Sequence, residues 1–295
     1  MCLTFQCLLF GQQFDQWQNL GIKEGLSNLQ INHIGFDSIG YLWIATAEGL
    51  NRYDGERIEK FPKNDPFNLQ AGFINNFSID NKYIWLSVRN RGLFRYNYYS
   101  EETEFIPLAD EYEQEQIADI NSIRFYQNGI ILSLEWQRML LLDTTSFNVT
   151  YPLRFPFYTI YDAVPIGADS LMISAVGTGI HIISQNEFYS QNNFPGALQF
   201  DHAKIPYTCD QVIAYKDEYY FACWANVLLR WSPYDSSMQS YLLPGENDLS
   251  FNSNEVTRVY PIGDSILVAC KYGELYYFDT KSNLFHEIHN DGILG

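Results

Sequence analysis

The side chains of this chain best suited to recognising a small molecule fall at one recurrent place. Arg89 and Arg91 stand there, then Glu135, Trp136 and Arg138, with His181 just beyond the next, then Trp224 and Asn226, and finally Lys271 and Tyr272. An exposed indole stacks on the apolar face of a sugar ring, and a nearby arginine or asparagine bonds its hydroxyls. The chemistry implied is non-covalent recognition. The expected ligand-binding set is Arg89, Arg91, Trp136, Arg138, His181, Trp224, Asn226, Lys271 and Tyr272. A plainer reading packs Trp136 and Trp224 between repeating units and assigns the basic residues to an interface with a dimer partner or a neighbouring domain.

Covalent chemistry finds little support. The chain shows no glycine-rich phosphate loop, no nucleophile elbow and no metal-ligand helix. His286 and His289 would lie on opposite faces of a strand and read as surface residues. Carboxylates are plentiful, but a polysaccharide-cleaving enzyme needs two of them placed across one bond, and sequence does not pair them. No catalytic residue, metal or cofactor is expected. The five cysteines are Cys2, Cys7, Cys209, Cys223 and Cys270. They show neither zinc-ligand spacing nor a disulfide framework and read as buried free thiols.

The elements that must position the recognition residues are set by a repeat. Tyr41-Leu42-Trp43-Ile44-Ala45-Thr46-Ala47-Glu48-Gly49-Leu50 returns as Tyr83-Ile84-Trp85-Leu86-Ser87-Val88, then Gly92-Leu93. Aligned on Trp43, the copies continue at Trp85, Ile131, Met172, Tyr220 and Leu267, at intervals of 41 to 48 residues. Two positions on runs a column of small residues: Ala45, Ser87, Ser133, Ser174, Ala222 and Ala269. Before it stands an apolar column: Ile44, Leu86, Leu132, Ile173, Phe221 and Val268. Alternation of this kind marks a central strand whose small side meets a close neighbour. A preceding strand carries Ile34, Phe77, Ile123, Val164, Val212 and Val256. Two residues before each lies Asn32, Asn75, Asn121, Asp162, Asp210 or, in the last copy, Asn254. These polar residues read as bonding backbone where the chain enters a new unit. A fourth strand centres on Phe61, Phe105, Phe188, Tyr241 or Phe285.

Four short strands per unit with a period in the forties predict an all-β fold, a β-propeller. Six four-stranded blades are visible, near residues 28–66, 67–110, 117–152, 158–192, 208–245 and 252–290, within a domain spanning 14–295. Phe14 to Leu20 reads as a spare strand. The residues after Ile288 look like the run-in to a further copy. An incomplete seven-bladed ring is therefore expected, with a closed six-bladed ring as the alternative.

Composition bounds the partners. Of 295 residues, 17% are aromatic, which suits pleated strands, and the net charge of −17 repels nucleic acid and anionic lipid. Leu3 to Phe10 is an apolar run too short to cross a bilayer. Residues 1–13 read as the remnant of a secretory signal peptide, and hence as export.

At Phe36-Asp37-Ser38-Ile39-Gly40-Tyr41-Leu42-Trp43-Ile44-Ala45-Thr46 through Gly49-Leu50-Asn51-Arg52-Tyr53-Asp54-Gly55, with the lead-in Asn19 to Ser27, the sequence resembles the two-component regulator propeller repeat. Copies three to six keep only its apolar skeleton. The resemblance implies the exported, periplasmic sensor region of a bacterial regulator such as a hybrid histidine kinase. It implies an oligosaccharide ligand, a homodimeric full-length receptor and downstream domains that carry any kinase activity. The chain itself is then a non-enzymatic recognition module. A structural scaffold that spaces or dimerises domains is the alternative, and a polysaccharide-active enzyme the third reading.

Overall fold

The computed structural model describes residues 20–108, 119–135, 138–154, 159–167, 170–175, 179–184, 208–224, 227–245, 255–271 and 274–288. Short strands follow one another through antiparallel hairpins. Blade one holds β1 (Ile31–Phe36), β2 (Leu42–Thr46), β3 (Gly49–Tyr53) and β4 (Ile58–Phe61). Blade two holds β5 (Ile74–Ile79), β6 (Tyr83–Val88), β7 (Gly92–Asn97) and β8 (Glu102–Ile106). Blade three holds β9 (Ile120–Tyr126), β10 (Gly129–Leu134), β11 (Arg138–Asp143) and β12 (Val149–Arg154). In blade four the described strands are β13 (Ile160–Ile166), β14 (Ser170–Ala175) and β15 (Gly179–Ser184); Phe188 lies outside the described residues. Blade five holds β16 (Cys209–Tyr215), β17 (Glu218–Cys223), β18 (Val227–Trp231) and β19 (Met238–Leu242). Blade six holds β20 (Val256–Ile262), β21 (Ser265–Cys270), β22 (Leu275–Asp279) and β23 (Leu284–Glu287). Within each sheet the strands lie in chain order. The first strands pack on one another in sequence, β1 on β5, β5 on β9, β9 on β13, β13 on β16 and β16 on β20. The molecule is a β-propeller, and the first strands line its axis.

Apolar alternation makes the interfaces. Trp43, Ala45, Leu50 and Phe61 of blade one form one cluster with Ile74, Phe77, Ile84, Leu86, Val88 and Tyr96 of blade two. Ala45, Ser87, Ser133, Ser174 and Ala222, the small column, are all fully buried. Two serines of this column also donate across the junction. The Ser87 hydroxyl bonds the carbonyl of Ile120, and that of Ser174 bonds the carbonyl of Cys209. At the turn into β3, Gly49 has φ +96°, and a Cβ there would lie 2.6 Å from the Gln70 carbonyl oxygen. Only glycine lets the backbone approach that closely.

The first strands carry a bulge. In all six blades the register between the first and second strands slips just inside the start: Ile31/His33, Ile74/Asn76, Ile120/Ser122, Ile160/Asp162, Cys209/Gln211 and Val256/Arg258. The extra residues are Asn32, Asn75, Asn121, Tyr161, Asp210 and Thr257. This corrects two alignments. Ala163 and Val259, not Val164 and Val256, face Ile173 and Val268. Tyr161 and Thr257, not Asp162 and Asn254, hold the polar column. One inserted residue shifts every later side chain to the other face.

The cysteines give a third correction. Cys209 stands opposite Cys223 across β16 and β17, and the two form a disulfide. Directly opposed residues of an antiparallel pair bring their Cβ atoms together, a proximity that their separation of 14 residues conceals. Cys270 occupies the Cys223 position of blade six but faces Val256, so it remains a buried thiol. Burial, aided by the negative charge of Glu274, pushes that thiol up to about 12.

Among the described residues, the faces of blades one and six are less covered than the others. At the position where Phe77 and Ile123 are 2% and 1% exposed, Ile34 of blade one is 48% exposed, and Phe36 beyond it is 57% exposed. In blade six, Leu267 and Ala269 are only half-buried, where Trp43, Trp85, Met172 and Tyr220 are fully buried.

Candidate recognition face

Four of the turn residues singled out in the sequence, Arg89, Glu135, Trp224 and Lys271, share one backbone position with Ala47. The amides of Ala47, Arg89, Glu135, Trp224 and Lys271 donate to the carbonyls of Gln30, Phe73, Asp119, Thr208 and Glu255, at 2.9 to 3.0 Å. Each bond ties the end of a blade's second strand to the residue just before its first. The backbone is therefore repeated, and only the side chains differ.

Most of the described side chains among them are committed locally. Arg89 Nε lies 3.4 Å from an Asp119 carboxylate oxygen, and its guanidinium sits 3.6 Å above the Phe73 ring. Lys271 Nζ pairs with Glu255 at 2.9 Å. Exposed pairs of this kind contribute little to stability. Arg91 donates to the carbonyls of Phe67 and Asn68 and so fastens the connection between blades one and two. His181 is buried in the body of β15, opposite Ile173, away from the turns. Arg138 opens β11 opposite Leu134. Trp136, Asn226 and Tyr272 lie outside the described residues. His286 is exposed on β23, and His289 lies outside the described residues.

Trp224 differs from these. Its indole N–H donates to Asp210 Oδ1 at 2.5 Å, and its ring lies 5.7 Å from that of Tyr161. The second Asp210 oxygen faces Arg258 at 3.8 Å. Trp224, Tyr161 and Asp210 are half-buried, and Arg258 is exposed. Burial raises the Asp210 carboxyl above its ordinary value, against the opposing pull of Trp224 and Arg258. Burial, with the charges of Asp210 and Glu135, raises the Tyr161 phenol, which stays protonated and able to donate. The result is an aromatic pair beside a carboxylate, a phenol and a guanidinium.

The contrast with other blades gives this corner meaning. Asn32, Asn75 and Asn121 each donate from Nδ2 to the first residue of the next blade's inner strand, Ile74, Ile120 and Ile160, at 2.8 to 2.9 Å. Their role is architectural. Blades four and five place Tyr161 and Asp210 at the same bulge and use them otherwise. Sequence reasoning missed Tyr161 because aligning Val164 in place of Ala163 put Asp162 in the column instead.

Asp162 has a different task. It accepts from Arg124 Nε and Nη2 at 2.9 and 2.5 Å and from the Val212 amide at 3.1 Å, so it joins blades three, four and five. Burial raises this carboxyl, but the Arg124 charge and the hydrogen bonds together bring it below its ordinary value. His33, facing the same axis, is lowered to about 3 by burial and by the charges of Arg124 and Arg258.

A groove of about 470 Å³ lies on the flank of blade two, lined by Lys82, Tyr83, Arg95, Glu102 and Glu104 among others. Arg95 there is held by Glu104 at 2.6 Å and lies over Tyr83. Among the described residues no cluster of histidine, cysteine or carboxylate side chains has the makings of a metal site.

Neither a protein-family model nor a curated protein sequence matches the chain. Solved structures do. The extracellular domain of BT3049 from B. thetaiotaomicron, described as a hybrid two-component system, is 21% identical and superposes with a TM-score of 0.73 over 94% of this chain and 37% of that one. The extracellular domain of BT4673 from the same organism is 16% identical, with a TM-score of 0.69 over 90% and 34%. A chain of a mitotic checkpoint complex is 8% identical, with a TM-score of 0.63 over 88% and 76%. These likenesses show the propeller fold, which serves unrelated functions. The chain spans about a third of the length of the two-component domains it matches.

Proposed function

We propose that this chain is a ligand-recognition propeller from the extracytoplasmic sensor of a two-component signal-transduction regulator, acting without catalysis of its own. Its ligand is an oligosaccharide, bound on the face that carries Tyr161, Asp210, Trp224 and Arg258. The observation that carries the reading is the Trp224–Tyr161 pair beside Asp210 and Arg258, with Tyr161 and Asp210 at the bulge position where blades one to three place structural asparagine. Stacking a sugar ring on the indole uses the aromatic face, and the phenol and guanidinium supply donors to hydroxyl oxygens. The Cys209–Cys223 disulfide supports an oxidising compartment outside the cytoplasm. Likeness to extracellular two-component domains supports the sensor role. The longer neighbours support downstream domains in the same receptor, and a homodimer would let ligand binding bias their geometry.

Ring completion belongs to the same reading. The exposed Ile34 and Phe36 and the half-buried Leu267 and Ala269 are the two halves of a blade junction. A seventh blade would cover both.

Calorimetric titration against a panel of defined neutral and acidic oligosaccharides tests the function. Wild type should bind at least one member, and Trp224→Ala should weaken that binding tenfold or more while leaving the melting temperature nearly unchanged. Binding by neither protein, or equal binding by both, would refute the reading.

A further inference from the structure

We infer that the Cys209–Cys223 disulfide is a positioning device for the recognition corner rather than a support for the fold; the inference rests on the corner being the ligand site. The residue after Cys209 is Asp210, and the residue after Cys223 is Trp224. The bridge therefore joins the two backbones immediately before the pair that bonds indole to carboxylate.

Neither of those residues has a partner in the described strand ladder. Asp210 is the extra residue of a bulge and has no partner in the strand ladder. Trp224 stands in the turn beyond β17, where its amide bonds the Thr208 carbonyl at 2.9 Å. A cross-link one residue away removes most of their relative freedom.

The fold does not require the link at this position. Four other blades fill it with buried residues that are not bonded to each other: Ile74 opposite Val88, Ile120 opposite Leu134, Ile160 opposite Ala175, and Val256 opposite Cys270. Burial alone closes those sheets. The bridge occurs in the blade whose bulge residue and turn residue meet through their side chains. It is completely buried, so it persists once formed.

The test replaces the bridge with the pair from blade two, as Cys209→Ile with Cys223→Val, and with a smaller pair, Cys209→Ala with Cys223→Ala. Indole N–H exchange is followed by NMR. Trp43 and Trp85 serve as internal controls, because their indoles bond Asp37 and Asp80 at 2.8 and 3.0 Å in blades that have no bridge. Trp224 exchange should accelerate at least tenfold in both variants while Trp43 and Trp85 stay within twofold, and any oligosaccharide bound by wild type should bind more weakly. Unchanged Trp224 exchange would overturn the inference. Equal acceleration of all three indoles, or failure of both variants to fold, would make the bridge a support of the blade and overturn it too. A panel on which wild type binds nothing would defeat the recognition reading and leave the indole result standing, so the two failures are distinguishable.

Discussion

Arg124 and Asp162 show how far one pair reaches. The carboxylate is buried and its neighbours come from three blades, so removing the arginine leaves an unpaired charge at their junction. Arg124→Met should cost about 3 to 5 kcal/mol in chemical denaturation, whereas Arg124→Met with Asp162→Leu should cost much less. The pH dependence follows from the direction of the shift. Asp162 is held below its unfolded value, so its stabilisation is present above that value and is lost as pH falls through the folded one. Asp210 is raised, so its sign is reversed: its contribution is present at low pH and lost as pH rises through its folded value. Asp210→Asn keeps an acceptor for the Trp224 indole. Its stability relative to wild type should therefore rise between pH 4 and pH 7 in parallel urea titrations; a flat difference would contradict the burial of Asp210.

At the scale of elements, the cross-blade asparagines offer a clean measurement. Asn75→Ala deletes a bond to the Ile120 carbonyl and should cost about 1 kcal/mol, or more if that carbonyl is left dry, with oligosaccharide binding unchanged. Strands, hairpins and the small column were legible because period-two alternation repeats in every copy and burial enforces it. The Asn32, Asn75 and Asn121 column was legible too, and in the structure it does what its residue type suggests. The bulge was not, since an inserted residue leaves no mark beyond a shift in phase; Asp162 was read where Tyr161 stands because the bulkier Val164 was aligned where Ala163 faces Ile173. The disulfide was hidden for a related reason. Cys209 and Cys223 meet only once the register of β16 and β17 is known. Of the residues expected to bind, Trp224, an aromatic departure from its column, is the one the proposal retains. Its partners Tyr161, Asp210 and Arg258 come from neighbouring first strands, which sequence order does not bring together.

At the scale of the whole molecule, the proposed function divides the labour of the repeat. Positions common to the blades hold the ring, and the proposal assigns recognition to positions that depart in blades four and five. The uncovered faces of blades one and six have a consequence for solution behaviour. An apolar sheet face of this kind associates with others. The 295-residue chain should self-associate with rising concentration in sedimentation velocity, and Ile34→Ser with Phe36→Ser should reduce that association without loss of stability. A monomeric wild type at all concentrations would argue that the faces are covered already. The most direct test of the division of labour is oligosaccharide titration calorimetry on Trp224→Ala and Asn75→Ala side by side. The account predicts that Trp224→Ala loses binding and that Asn75→Ala keeps it despite its lower stability. Loss of binding in Asn75→Ala with retention in Trp224→Ala would contradict it.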